Sequence, residues 1–191
     1  MLLYFHICII FENTVFIWKK PMPHHILIQP ISNENFAEFG DVISCRGHDF
    51  FHINDAHTER YHALAETEIM GHAKVGISIF RNIQTTTLPV EISMLERHPK
   101  GSQAFIPMHG QKFLVLVAPS LDTDRPDICK LQAFITDGSQ GVNYHIGTWH
   151  HPLLTLESPS DFAVIDRIGT GHNCDVFQFD EKIQIMLLDR P

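Results

Sequence analysis

Short apolar runs, broken every few residues by proline, glycine or aspartate, recur along this chain from about residue 25 onward. Ile26-Leu27-Ile28 predicts a strand that ends at Pro30. Ser32 then has the makings of a helix N-cap, with Ile31 before it and Phe36 at the fourth helical position as a hydrophobic staple. Phe36 and Phe39 supply the apolar face of this short helix, and Gly40 suits its stop. Further strands are predicted at 75–81, 88–96, 103–107, 112–118, 131–136, 141–146, 153–157 and 162–168, all rich in Val, Ile and Phe. The polar, proline-bearing stretch from Pro119 to Asp127 is a loop between two of them. No repeat or heptad interrupts the rhythm, so the fold class is mainly β, an antiparallel sandwich or barrel with a short N-terminal helix.

Residues 1–22 do not share that rhythm. The apolar run from Leu2 to Phe11 contains His6, ends at Glu12-Asn13 and has no basic residue before it. It lacks a signal peptide's charged start and is too short to span a bilayer. We expect an extension outside the domain, with Met22 as an alternative start, and one domain over residues 23–191. At 191 residues and 44% hydrophobic, the chain can bury a sizeable core. A net charge of -8 and the lack of any basic cluster argue against nucleic acid and anionic membranes as partners. Cys8, Cys45, Cys129 and Cys174 form no C-x-x-C pair and read as free thiols in a reducing compartment.

The candidate chemistry lies in two stretches. Glu96 and His98 are two apart on a predicted strand, so both side chains leave the same face. Gln103 follows, and the spacing predicts two adjacent antiparallel strands with Glu96, His98 and Gln103 inward. His150 comes from a strand distant in sequence, three residues after the turn glycine Gly147. A carboxylate, two imidazoles and a carboxamide suit a divalent transition metal. Lone histidines such as His72 and His109 read as surface residues.

Glu96-x-His98, four residues, Gln103, six residues and Gly110 resembles the first cupin motif, H-x-H-x4-E-x6-G, with two ligand types exchanged. His145-x-Gly147-x-x-His150 resembles the second, P-x-G-x-x-H, with histidine in place of proline. Longer blocks narrow the likeness. Asp49-Phe50-Phe51-His52-Ile53-Asn54, Glu59-Arg60-Tyr61-His62, Leu95-Glu96-Arg97-His98-Pro99 and Gln103-Ala104-Phe105-Ile106-Pro107 resemble the ureidoglycolate lyase family. So do Gly141-Val142-Asn143-Tyr144-His145, Trp149-His150-His151-Pro152-Leu153, Asp166-Arg167 and Asn173-Cys174-Asp175.

The resemblance implies a cytoplasmic, homodimeric cupin enzyme that splits (S)-ureidoglycolate into glyoxylate and urea in allantoin breakdown, with nickel as the metal. It places Glu96, His98, Gln103 and His150 at the metal-ligand positions. Cleavage needs the substrate hydroxyl deprotonated and the departing ureido nitrogen protonated. His145 is the candidate proton shuttle, with His150 and Glu96 beside it in the catalytic set. Arg60 is the preferred clamp for the substrate carboxylate, ahead of Arg81. Arg97, alternating with the two proposed ligands, points away from the pocket. His52, Asn54 and His62 are candidates to bond the ureido amide. Asp166-Arg167 reads as a buried pair supporting the barrel. Two other readings stay open: a cupin oxygenase with a two-histidine, one-carboxylate iron site, and a small-acid-binding cupin without catalysis.

Overall fold

The computed structural model of the chain describes residues 24–180 and 185–188. The extension over residues 1–22 lies outside them. The described residues are mainly β, in a nine-stranded sheet facing a five-stranded one.

The nine-stranded sheet runs β15 (Asp175–Gln178), β7 (Met94–Arg97), β12 (Trp149–His150), β9 (Phe113–Ala118), β10 (Gln132–Ile135), β1 (His24–Pro30), β16 (Ile185–Leu188) and β6 (Val90–Ile92). The short β13 (Leu154–Thr155) also pairs with β9. The predicted strand at 88–96 is broken at Ser93, and its halves, β6 and β7, lie near opposite ends of this order. A one-residue break can join those ends only if the sheet curls back on itself, which makes it a half-barrel. β1 is parallel to both β10 and β16, against the antiparallel expectation; every other pair is antiparallel.

The five-stranded sheet is β2 (Gly40–Ile43), β11 (Gly141–Tyr144), β8 (Gln103–Pro107), β14 (Ser160–Gly169) and β5 (Ala73–Asn82). A separate hairpin pairs β3 (Phe51–Ile53) with β4 (Thr58–Arg60).

β9 explains how the layers hold together. All six of its residues are buried, which is why Phe113-Leu114-Val115-Leu116-Val117-Ala118 reads as an unbroken apolar run. Leu114, Leu116 and Ala118 point into one cluster with Leu95, Trp149 and Leu187. Phe113, Val115 and Val117 point into a second, with Phe36, Phe105, Tyr144 and Phe162. The second cluster fills the space between the sheets, and the functional candidates on β7, β12 and β8 stand at its edge.

The helix α1 (Asn33–Phe36) is a single turn. The Ser32 hydroxyl accepts from the Asn35 N–H at 3.3 Å, and the Asn35 side-chain oxygen accepts from the Ser32 N–H at 2.8 Å, a capping box. Gly40 does not end the helix as expected. It opens β2, where a Cβ would collide with the Asn143 carbonyl of β11, so the glycine serves close strand approach.

Candidate metal centre

β7 and β12 are neighbours, with Glu96 directly opposite His150 in the antiparallel register. Residues 54 apart in sequence thus share one face of one sheet, the face toward the second cluster, as Val117 opposite His150 shows. β7 and β8, expected to pair, belong to different sheets. Residues 98–102 carry the chain from one to the other, so Gln103 approaches His98 across the sandwich. Gly147, at φ 78°, forms the turn before β12, and its N–H donates to the His98 carbonyl at 3.0 Å. The left-handed backbone there favours glycine.

Glu96, His98 and His150 place their ligand atoms within 4.8 Å of one another. The tautomers follow from the backbone. His98 Nδ1 lies 2.7 Å from the Asn173 carbonyl and His150 Nδ1 lies 2.9 Å from the Thr148 carbonyl. A carbonyl only accepts, so each Nδ1 carries a proton, and in the neutral ring each Nε2 keeps a lone pair. His98 Nε2 faces Gln103 Oε1 at 3.1 Å, while His150 Nε2 has no hydrogen-bond partner among the described residues. Glu96 Oε1 is 3.7 Å from His150 Nε2. Four lone-pair atoms therefore crowd together, one of them orphaned on a side chain that is 2% exposed. A shared cation would reconcile such a set, and carboxylate, amide oxygen and neutral imidazole are borderline-to-hard donors that fit a divalent transition metal.

His150 is held in place by Tyr144, whose ring stacks on it at 4.2 Å and 10°. Burial lowers the His150 pKa to about 3 from an ordinary 6.5, so the ring is neutral and able to ligate. This has a consequence for stability in the presence of a chelator. The unfolded chain takes up a proton at His150 below about pH 6.5, and the folded chain refuses it until about pH 3. Between those values the unfolded state binds more protons, so stability should fall as pH falls through that window. Burial of His151 acts in the same direction. Denaturant melts at pH 7 and pH 4.5 should show the loss, and His150→Gln should reduce it; an unchanged slope in that variant would assign the effect elsewhere.

The remaining candidates are dispersed. His52, Asn54, Arg60 and His62 are all exposed and cluster on or beside the β3–β4 hairpin. There Arg60 reaches His62 Nδ1 at 3.2 Å and lies 5.8 Å over the Phe51 ring, while Asn54 (φ 55°) bonds Thr58. Arg81 is held in a two-pronged pair with Asp161 at 2.7 and 2.8 Å. Arg97 leaves the opposite face from Glu96, stacks 4.5 Å over Trp149 and pairs with Asp175. His145 Nε2 lies 3.3 Å from Asp41. It lines a cavity of about 500 Å³ with Asp41, Glu66, Glu68 and residues 63–65, a lining that includes none of the three metal-type residues.

Asp166 and Arg167 are not the expected ion pair. As neighbours on β14 they leave opposite faces: Asp166 accepts from Gln103 Nε2 at 3.3 Å, and Arg167 donates to the Met70 and Thr170 carbonyls. Sequence reasoning assigned no role to Tyr144 or Asn173, although both fall in blocks it had marked. Cys174 sits beside the centre, its thiol 3.7 Å from Glu96 Oε2. Its pKa is raised, by burial first and then by that carboxylate. Cys45, Cys129 and Cys174 are free thiols, and no helix among the described residues is long and apolar enough to cross a membrane.

Comparison with known proteins identifies the family. The family model described as ureidoglycolate lyase matches residues 23–186. The chain is 48% identical over 167 residues to a ureidoglycolate lyase of Pseudomonas syringae pv. tomato, covering 87% of this chain and 96% of that protein. It is 49% identical over 160 residues to one from Pseudomonas paraeruginosa, covering 84% and 94%. A third, from Stutzerimonas stutzeri, is 48% identical over 162 residues, covering 85% and 94%. With a curled β sandwich, a carboxylate–imidazole centre at its edge and relatives of this similarity along nearly their whole length, the chain belongs to the ureidoglycolate lyase family.

Proposed function

We propose that this chain cleaves ureidoglycolate to glyoxylate and urea at a divalent metal held by Glu96, His98, His150 and Gln103. The observation that carries the reading is the buried, partnerless Nε2 of His150 among three other lone-pair atoms. Nickel is the metal we favour, from the family resemblance. When bound, it supplies Lewis-acid polarisation of the substrate hydroxyl and a template for the substrate.

The chain's own residues carry the rest. The carbonyls of Asn173 and Thr148 hold Nδ1 of His98 and His150 and aim each Nε2 at the centre, and the Tyr144 ring shields one face of His150 from water. As the carbon–nitrogen bond breaks, the hydroxyl proton must leave and the ureido nitrogen must gain one. We assign that transfer to His145, which Asp41 orients. We assign the carboxylate clamp to Arg60. Among the described residues, Arg46, Arg81, Arg97 and Arg125 all meet aspartates and Arg167 meets backbone carbonyls, whereas Arg60 meets His62 and an aromatic ring. His52, Asn54 and His62 share its hairpin and are assigned to the ureido group. These roles separate kinetically. Arg60→Lys keeps the charge but loses the planar fork, so KM should rise, whereas His145→Asn should lower kcat by about 10²–10⁴-fold with less change in KM. Initial-rate kinetics on both variants decide, and a change in melting temperature alone would make either residue structural.

The domain in this reading begins at residue 23, where the family match starts, and operates in the cytoplasm as a homodimer. A second copy would cover the outer face of the five-stranded sheet, where Ile77 is 80% and Ile79 64% exposed. The test is anaerobic incubation of purified protein, full-length and starting at Met22, with ureidoglycolate. Both forms should sediment as dimers and release urea and glyoxylate in equal amounts. Ammonia in place of urea, or a requirement for dioxygen, would overturn the reaction class.

A further inference from the structure

Gln103 stands where a cupin glutamate would, and a carboxamide is a more demanding ligand than a carboxylate. A carboxylate offers an oxygen whichever way it turns; an amide offers an oxygen on one side and an NH2 on the other. The terminal torsion of glutamine is broad and close to two-fold, so the side chain itself does not choose. At this position the choice matters. His98 Nε2, left with a lone pair by the Asn173 carbonyl, would accept a hydrogen bond from the Gln103 NH2 as readily as it shares a cation with the Gln103 oxygen. The turned-over amide would close two of the four donors on each other.

Asp166 removes that alternative. Its Oδ2 takes the Gln103 NH2 at 3.3 Å from the side away from His98, and an ionised carboxylate only accepts. It follows Val164 on the inward face of β14, and Gln103 is 7% exposed, so water is poorly placed to substitute. We propose that Asp166 is a positioning residue: it locks the Gln103 amide with its oxygen toward His98 and Glu96, so that Gln103 and Asp166 together do the work of one ligand glutamate. The negative charge sits one amide away from the centre and reaches it through a polarised hydrogen bond. This inference rests on the metal reading above and goes beyond it in explaining how an amide is made a reliable oxygen donor.

The test is the affinity of the purified protein for Ni²⁺, measured by calorimetry or chelator competition, in four forms: wild type, Asp166→Asn, Gln103→Glu and the double variant. The metal-free melting temperature of each is recorded alongside. Asp166→Asn is nearly isosteric but introduces an NH2 that can donate to the Gln103 oxygen and turn the amide over. It should weaken metal binding about 10–100-fold, the usual cost of losing an outer-shell partner. In the Gln103→Glu background the same substitution should not weaken binding, because a carboxylate has no wrong face and the new NH2 can bond its second oxygen. That reversal is the signature of an orienting role. A purely structural role would lower the metal-free melting temperature and the affinity equally in both backgrounds, and would overturn the proposal. So would wild-type affinity in Asp166→Asn. A wild-type protein that binds no divalent ion would instead sink the metal reading itself, which keeps the two failures distinct.

Discussion

His150→Ala should abolish divalent-metal binding and turnover while leaving the metal-free fold standing. The loss should exceed the 10–100-fold typical of an outer-shell partner, because the imidazole supplies a donor atom itself. The stability of the metal-free protein should change much less. His150 fills space under Tyr144, and truncation leaves a cavity. Yet it also removes a buried nitrogen without a partner, whose desolvation costs the folded state about 1–3 kcal/mol. The two effects oppose each other. Calorimetric titration with Ni²⁺ and denaturant melts in chelator measure both. His98→Ala should behave in the same way for metal, and stripping the wild type with a chelator should reproduce the loss of rate, with recovery on adding the ion back. Retention of rate by the stripped enzyme would mean that the histidines act directly on substrate.

The largest expected loss of stability is at Phe36. This fully buried ring meets Phe134 edge-on at 5.9 Å and lies 6.1 Å from both Phe39 and Tyr144. Phe36→Ala should cost about 3–5 kcal/mol in denaturant unfolding, the usual range for a buried phenylalanine. It should also reach the metal centre, since Tyr144 is the ring that backs His150, only two contacts from Phe36. Leu187→Ala, a comparably buried residue of the other cluster, is the control. It should lose about 2–5 kcal/mol and leave metal affinity alone. Equal affinities in the two variants would show that the cluster between the sheets supports the fold without tuning the site.

Much of this was legible in the residues. Alternation and apolar runs located β1, β5, β8, β9, β10, β11, β13 and β14, because a strand declares itself locally through the side chains on its faces. Ile31, Ser32 and Phe36 carry their own cap-and-staple signal within six residues, and the N-cap observed at Ser32 agrees with it. The strands that escaped notice are short or lack a clear apolar period: β2, the β3–β4 hairpin, β15 and β16. The chemistry of the centre was legible too, since Glu96-x-His98 on any strand shares a face and Gly147 marks the turn that delivers His150.

The sequence by itself determined the family, the β class and the residue types of the candidate metal centre. Only the tertiary structure decided who meets whom. Glu96 lies beside His150 because β12 pairs with β7, and Gln103 faces His98 from the opposite sheet because residues 98–102 cross the sandwich. Asp166 reaches Gln103 where an ion pair with Arg167 had been expected. Periodicity is a property of a few consecutive residues and dictates faces. Pairing is settled by apolar contacts between segments tens of residues apart, where each strand finds the partner that buries both, and no local pattern contains that choice.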